Sequence, residues 1–145
     1  MKSVTNSSFN FLSDEACETL CKAAQEKSES MGVKISFAIC DPDGQPRLFR
    51  RFGDAQMLSV EMAPAKAYTA AITGTPSGVF AKLMGNGGPL MGLGNLDNRI
   101  LPIPGGFPLM LDGKCVAGIG VGGGMGDQDS QIASFVVDKF NELVK

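Results

Sequence analysis

The chain has no histidine. That absence removes the usual general base, the commonest zinc ligand and the usual axial ligand of haem, so proton or metal chemistry here must use other side chains. An 18-residue apolar run is also missing, which excludes a transmembrane helix. Residues 1–8 carry one lysine and no apolar stretch. They do not read as a signal peptide, and the cytoplasm is the expected address. Excess positive charge is lacking too: 13 Lys and Arg against 15 Asp and Glu leave a formal charge of -2, with no basic field to collect nucleic-acid phosphates. The four cysteines, Cys17, Cys21, Cys40 and Cys115, form no C-x-x-C pair. Three of them fall in stretches that read as core-facing helix or strand, so free thiols in a reducing compartment are expected.

What is present is enough for one domain spanning residues 1–145, with a core that needs neither metal nor disulfide. Ser13-Asp14-Glu15-Ala16 suits a helix start, and Ala16, Leu20, Ala24 and Met31 follow at helical spacing up to Gly32. Val33, Ile35, Phe37 and Ile39 alternate as in a half-buried strand, Asp41-Pro42-Asp43-Gly44 is turn chemistry, and Arg47 to Phe52 returns. Ser59 to Thr73 is alanine-rich and helical in pattern, with Pro64 expected to kink its first turn or delay its start. Thr75-Pro76-Ser77 opens a short helix through Met84, a glycine-rich loop runs to Asn98, and Arg99 to Ile103 reads as a strand. Phe107 to Leu111 and Lys114 to Val121 flank Asp112-Gly113, the strongest hairpin signal in the chain. Asp127 to Val144 is the last helix, with Ile132, Phe135, Val136, Phe140 and Leu143 on one stripe. The order α-β-β-α-α-β-β-β-α predicts an α+β domain of profilin-like or PAS-like architecture, its antiparallel sheet flanked by helices.

The glycine-crowded stretch GIGVGGGMGDQD, Gly118 to Asp129, contains a G-x-G-x-x-G match. A dinucleotide turn would have to open a helix and lead to a second parallel strand, whereas only 22 residues, one helix, follow Gly123. Asp127 and Asp129 at that helix start would also repel a phosphate. The glycines alternate with Ile119 and Val121, so one strand face lacks bulk and something packs closely there: a backbone, a ligand or a neighbouring subunit.

Five segments occur together: Phe37-Ala38-Ile39-Cys40-Asp41 with Gly44, Lys66-Ala67-Tyr68-Thr69-Ala70, Thr75-Pro76, Pro104-Gly105-Gly106-Phe107-Pro108-Leu109, and Gly120-Val121-Gly122-Gly123-Gly124 leading into Gln128-Asp129. In this order, from about Phe11 to Leu143, the chain resembles the GlcG/HbpS family and is similar to the C-terminal part of PduO-type corrinoid adenosyltransferases. The resemblance implies a five-stranded antiparallel sheet flanked by helices, homo-oligomers, and in some members binding or degradation of haem. It also implies a link to diol, glycerol or glycolate utilisation. Three departures stand out. There is no histidine for imidazole ligation of haem, Arg51-Phe52-Gly53-Asp54-Ala55 exchanges two residues of the family's Arg-x-Asp-Gly-Ala, and Gly122 replaces a serine.

Candidate ligand-binding residues are Arg51, Lys66, Gly105, Gly106, Gly122, Gly123, Gly124 and Asp129. Lys66 shares a helix side with Thr69 and Thr73 and reads either as an anion or carbonyl contact or as a solvated helix charge. Arg50 and Arg51 point to opposite strand faces, so only one reaches a shared pocket. Gly105 and Gly106 offer bare N–H groups to a ligand or simply make the turn. Asp129 is a ligand contact or a helix cap. The two glycine turns fall at the same sheet end, so these residues are expected to line one pocket. No catalytic set can be assembled, and Glu15/Glu18 and Glu26/Glu29 read as solvated helix charge rather than a metal site. The expectation is a small-molecule-binding accessory protein, oligomeric, with haem or a corrinoid held without imidazole. The alternatives are a haem-degrading or isomerase-like enzyme moving protons through Lys66 and Asp129, or a structural oligomer subunit without ligand.

Overall fold

The computed structural model describes Val4, Thr5 and residues 11–145. The reading of residues 1–8 as no leader therefore lies, Val4 and Thr5 apart, outside the described residues. The elements are α1 (Asp14–Met31), β1 (Ser36–Cys40), β2 (Pro46–Arg51), α2 (Leu58–Thr73), a 3-10 turn at Ser77–Val79, α3 (Phe80–Leu83), α4 (Leu93–Leu96), β3 (Gly106–Leu111), β4 (Lys114–Gly122) and α5 (Gly126–Leu143). The strands form one antiparallel sheet in the order β2-β1-β4-β3. Helix α2 covers one face and α1 with α5 the other, giving three layers.

The sheet has four strands, not five. Arg99 to Ile103, expected as a strand, runs as irregular chain, because Pro102 and Pro104 remove two backbone donors and leave no ladder to build. Its polar groups go elsewhere: Leu101 N donates to Thr69 Oγ1 at 2.8 Å, and Ile103 O accepts from Ser77 Oγ at 2.6 Å. The helix after Pro76 breaks into the 3-10 turn and α3, and the glycine loop holds the additional short helix α4. Pro64 does not delay α2, which starts at Leu58 and runs through it.

The Asp-Gly hairpin forms as expected: Asp112 and Gly113 both have positive φ, 52° and 78°, as a two-residue turn matching strand twist requires. Ser13 caps α1 by accepting the Ala16 N–H at 3.1 Å. Below the sheet lies the main core, with Leu20 of α1, Phe37 and Ile39 of β1, Leu109 of β3, Ile119 and Val121 of β4, and Ile132, Val136 and Phe140 of α5. Phe135 leaves the predicted stripe and stays partly exposed, with Lys27 Nζ 5.5 Å from its ring centre.

Strand β1 is buried along its whole length rather than on one face. Its second face, Ala38 and Cys40, packs against Ala63, Ala67 and Ala71 of α2, a layer built only of small side chains. Here the glycine stretch finds its partner. A Cβ on Gly118 would lie 2.2 Å from Ala67 O, one on Gly120 2.1 Å from Ala63 O, and one on Gly106 2.3 Å from Lys66 O. What approaches the bare face of β4 is the backbone of α2 in the same chain.

Burial pushes the thiol of Cys40 up to about 12 and that of Cys17 up to about 11, and raises Cys21 and Cys115 as well. At pH 8 iodoacetamide is expected to modify half-buried Cys115 first and to reach Cys17, Cys21 and Cys40 only on unfolding, as mass spectrometry of trapped thiols would show. A thiol raised in the folded state favours folding while it keeps its proton. That contribution is whole below the ordinary value of 9.0 and is lost as pH climbs from there toward 12. Cys40→Ala is therefore expected to flatten the alkaline limb of the stability curve measured by urea unfolding.

Candidate functional site

The residues singled out in the sequence separate into a sealed cluster and one outlier. Lys66, in the middle of α2, is fully buried, as is Asp129 in the first turn of α5, and their side chains meet at 2.9 Å. Lys66 Nζ also donates to Val121 O at 2.9 Å, and Asp129 Oδ1 accepts the Gly124 N–H at 2.9 Å. Gly105 lies against this pair, since a Cβ there would sit 3.0 Å from both Lys66 Nζ and Asp129 Cβ. Gly106 N donates to Ser77 Oγ at 2.9 Å. Gly122 ends β4 beside Ala63 and Met62, and Gly123 turns the chain against Lys34 and Ile35. Lys66 is thus not a solvated helix charge. It is the tie between α2, β4 and α5.

Burial pushes the Asp129 carboxyl above its ordinary range, and the Lys66 ammonium and Gly124 N–H pull against it. Arg51 is not part of this cluster. It lies exposed on edge strand β2, and its Nε donates to Ala55 O at 2.8 Å, closing the turn between β2 and α2. Glu15, Glu18, Glu26 and Glu29 are exposed on α1, with Glu18 4.0 Å from Arg50.

Open space lies instead on the outer side of α2, in a groove of about 600 Å³. Leu58, Met62, Pro64 and Ala65 of α2 line it, with Pro46 of β2 on one bank and Ile100 and Leu101 on the other. A second, smaller hollow joins it at Gly44, Pro46 and Pro64. One end of the groove is polar. Tyr68 donates its hydroxyl to Asp97 and accepts from Arg99 Nη2, and the Arg99 guanidinium stacks 4.0 Å from the ring centre. Arg99 Nε donates to Asp97 Oδ1 at 3.3 Å, and the same oxygen accepts the Arg99 N–H at 3.0 Å. The hydrogen bond to Asp97 raises the Tyr68 phenol and lowers the Asp97 carboxyl, so the phenol keeps its proton as a donor.

The turn at Asp41 fixes this end of the groove. Asp41 Oδ1 accepts from Asp43 N and Gln45 N at 2.8 and 3.0 Å, which brings Gly44 onto the Tyr68 ring. A Cβ at Gly44 would be 2.6 Å from that ring. The sequence reading did not single out Tyr68, Asp97 and Arg99 as a site. The available signal was that Tyr68 is the chain's one tyrosine, set in an alanine-rich helix. Asp97 and Arg99 gave none, lying in a loop and a mistaken strand.

The groove's mainly apolar walls suit a largely apolar ligand, and of its two charged groups Arg99 can meet an anionic group while Glu61 would repel one. Of the lining residues Met62 alone carries sulfur, a soft ligand of the kind cytochromes use on iron, and Arg99 is the lining cation. Among the described residues no group of three or more Cys, Asp or Glu is placed to hold a metal ion by itself, and no helix is long and apolar enough to cross a membrane.

Four antiparallel strands between a glycine-seated helix and a helix pair, with a groove along the outer helix, define a three-layer α+β domain. The chain belongs to the HbpS-like family, whose model, described as haem degrading protein HbpS-like, matches residues 12–138. It is 32% identical over 123 residues to the corrinoid adenosyltransferase PduO of Salmonella typhimurium, covering 84% of this chain and 37% of that protein. The chain thus spans little more than a third of that relative. It is also 32% identical over 130 residues to an uncharacterized 15.0 kDa protein of the dhaT-dhaS intergenic region of Citrobacter freundii, covering 88% of this chain and 91% of that one. Among solved structures, the PduOC:haem complex superposes with a TM-score of 0.85 at 31% identity, covering 88% of this chain and 94% of that chain.

Proposed function

We propose that this protein is a tetrapyrrole-binding accessory protein, acting as a homo-oligomer in the cytoplasm beside diol, glycerol or glycolate utilisation, and that its ligand lies in the groove outside α2. The observation that carries the proposal is the groove itself, about 600 Å³ with mainly apolar walls, Arg99 at its polar end and Glu61 as its second charged group. Family membership and a haem-bearing relative of the same fold support the ligand class. Met62 would approach the metal, Leu58, Pro64 and Leu101 would cover the ring, and Arg99 would meet its acidic edge, all from the groove lining. Haem supplies a redox-active iron when bound; the protein's share is to bind, orient and shield it. In this reading the Lys66–Asp129 pair with Gly105, Gly106 and Gly122 to Gly124 seats α2, and thereby the groove, without touching the ligand.

Titrating the purified protein with haemin and with cobalamin, followed by absorption, tests the reading. A saturable shift of the haemin Soret band is expected, and Ala65→Trp, which fills the groove from a half-buried position on α2, is expected to abolish it while leaving the thermal melt unchanged. Binding of haemin undiminished by Ala65→Trp would place the ligand elsewhere. Absence of binding to either tetrapyrrole would remove the proposal.

A further inference from the structure

The polar end of the groove carries an inference about which tetrapyrrole it takes, one that rests on the groove being the tetrapyrrole site. Tyr68 is 7% exposed and wedged by the Gly44 turn, so the stacked guanidinium of Arg99 has a rigid platform. Asp97 accepts from the Tyr68 hydroxyl, the Arg99 N–H and Arg99 Nε, with Arg99 Nη2 a further 3.5 Å from Oδ2. Its carboxylate thus braces the arginine and has little left to offer a ligand. Arg99 Nη2 is engaged with Tyr68, whereas Nη1 has no hydrogen-bonding partner among the described residues, and the Arg99 side chain is 61% exposed. A guanidinium held at Nε and Nη2 presents its outer edge in one orientation, the geometry that pairs with a carboxylate. Glu61 is the groove's other charged group. Seven residues before Tyr68 on α2, it lies about 10 Å away along the helix axis, where its carboxylate would turn a ligand's anionic edge toward Arg99.

We propose that Arg99, braced by Tyr68 and Asp97, is a carboxylate clamp that makes the groove select a tetrapyrrole with free carboxylates over one whose periphery is esterified or amidated. The test uses metal-free porphyrins, so that iron ligation plays no part: protoporphyrin IX and its dimethyl ester, with binding followed by porphyrin fluorescence. The native protein is expected to bind the diacid at least about tenfold more tightly than the ester, the range for one charge-assisted contact. Arg99→Gln is expected to weaken the diacid by about that factor and leave the ester unchanged, while Arg99→Lys, which keeps charge without the fork, falls between. Equal affinities for the two porphyrins in the native protein, or equal losses of both in Arg99→Gln, would overturn the clamp and leave the groove standing. If neither porphyrin binds, the clamp falls and the haemin titration decides the groove; if both bind undiminished to Ala65→Trp, the groove reading fails and the clamp with it.

Discussion

Gly120→Val is expected to prevent folding altogether, and Gly120→Ala to cost more than the ~1–3 kcal/mol usual for overpacking a core. Overpacking is ordinarily relieved by side chains that turn aside. At Gly120 the obstruction is backbone: a Cβ would meet Ala63 O at 2.1 Å and Ala67 N at 2.6 Å. Only lifting α2 off the sheet makes room. Lifting it opens the layer of Ala38, Cys40, Ala63, Ala67 and Ala71, whose small side chains cannot follow, and draws Lys66 away from Asp129. Against a typical total stability of ~5–15 kcal/mol, the valine variant has nothing left. Thermal melts by circular dichroism and gel filtration of the soluble fraction would show it. Gly92→Ala is the matched control, since nothing lies within 4 Å of a Cβ there, and its melt is expected to be unchanged. A folded Gly120→Val protein with altered subunit number would instead mean that the glycine strand serves an interface between copies.

The second large effect is expected from Lys66→Met. The side chains have similar length, but the substitution leaves Asp129 buried with only the Gly124 N–H as a described partner. Removing one member of a buried ion pair typically costs ~3–5 kcal/mol, which for a domain of this size lowers the melting temperature by roughly 10 °C. The double variant Lys66→Met/Asp129→Asn is expected to recover more than half of that, because the lone charge is gone and the amide oxygen still accepts from Gly124. The sign of the pH dependence provides a further check. Burial already raises the Asp129 carboxyl, and loss of Lys66 removes a pull in the other direction. A carboxyl raised in the folded state favours folding when protonated and loses that advantage as pH rises. The deficit of Lys66→Met relative to the native protein should therefore shrink between pH 8 and pH 5. A deficit below ~1 kcal/mol, constant across that range, would show that Lys66 does not tie α2 to α5.

Much of the scaffold was legible from residue pattern because the elements concerned are local. The Ser13 cap, the Asp112-Gly113 hairpin and the amphipathic stripe of α5 each carry their cause within a few residues. Arg99 to Ile103 misled because its apolar alternation is that of a strand. Pro102 and Pro104 outweigh alternation, and the segment's bonds run to Thr69 and Ser77, which lie far off in the chain. The site was harder still. Lys66 and Asp129 were singled out, yet whether a lysine in a helix faces water, a ligand or a carboxylate 63 residues away is decided by how the helix sits on the sheet.

By itself, then, the sequence determined the order of most elements, the lack of imidazole chemistry, and that the bare face of GIGVGGG must be approached closely by something. Those conclusions follow from residue identity and local stereochemistry. Tertiary structure alone decided that α2 makes that approach, because only the folded sheet sets Gly118 and Gly120 against Ala67 O and Ala63 O. By seating α2 so deeply it buries Lys66 on the inner side of the helix and leaves Met62 and Tyr68 to line the groove on the outer side, where Arg99 joins them.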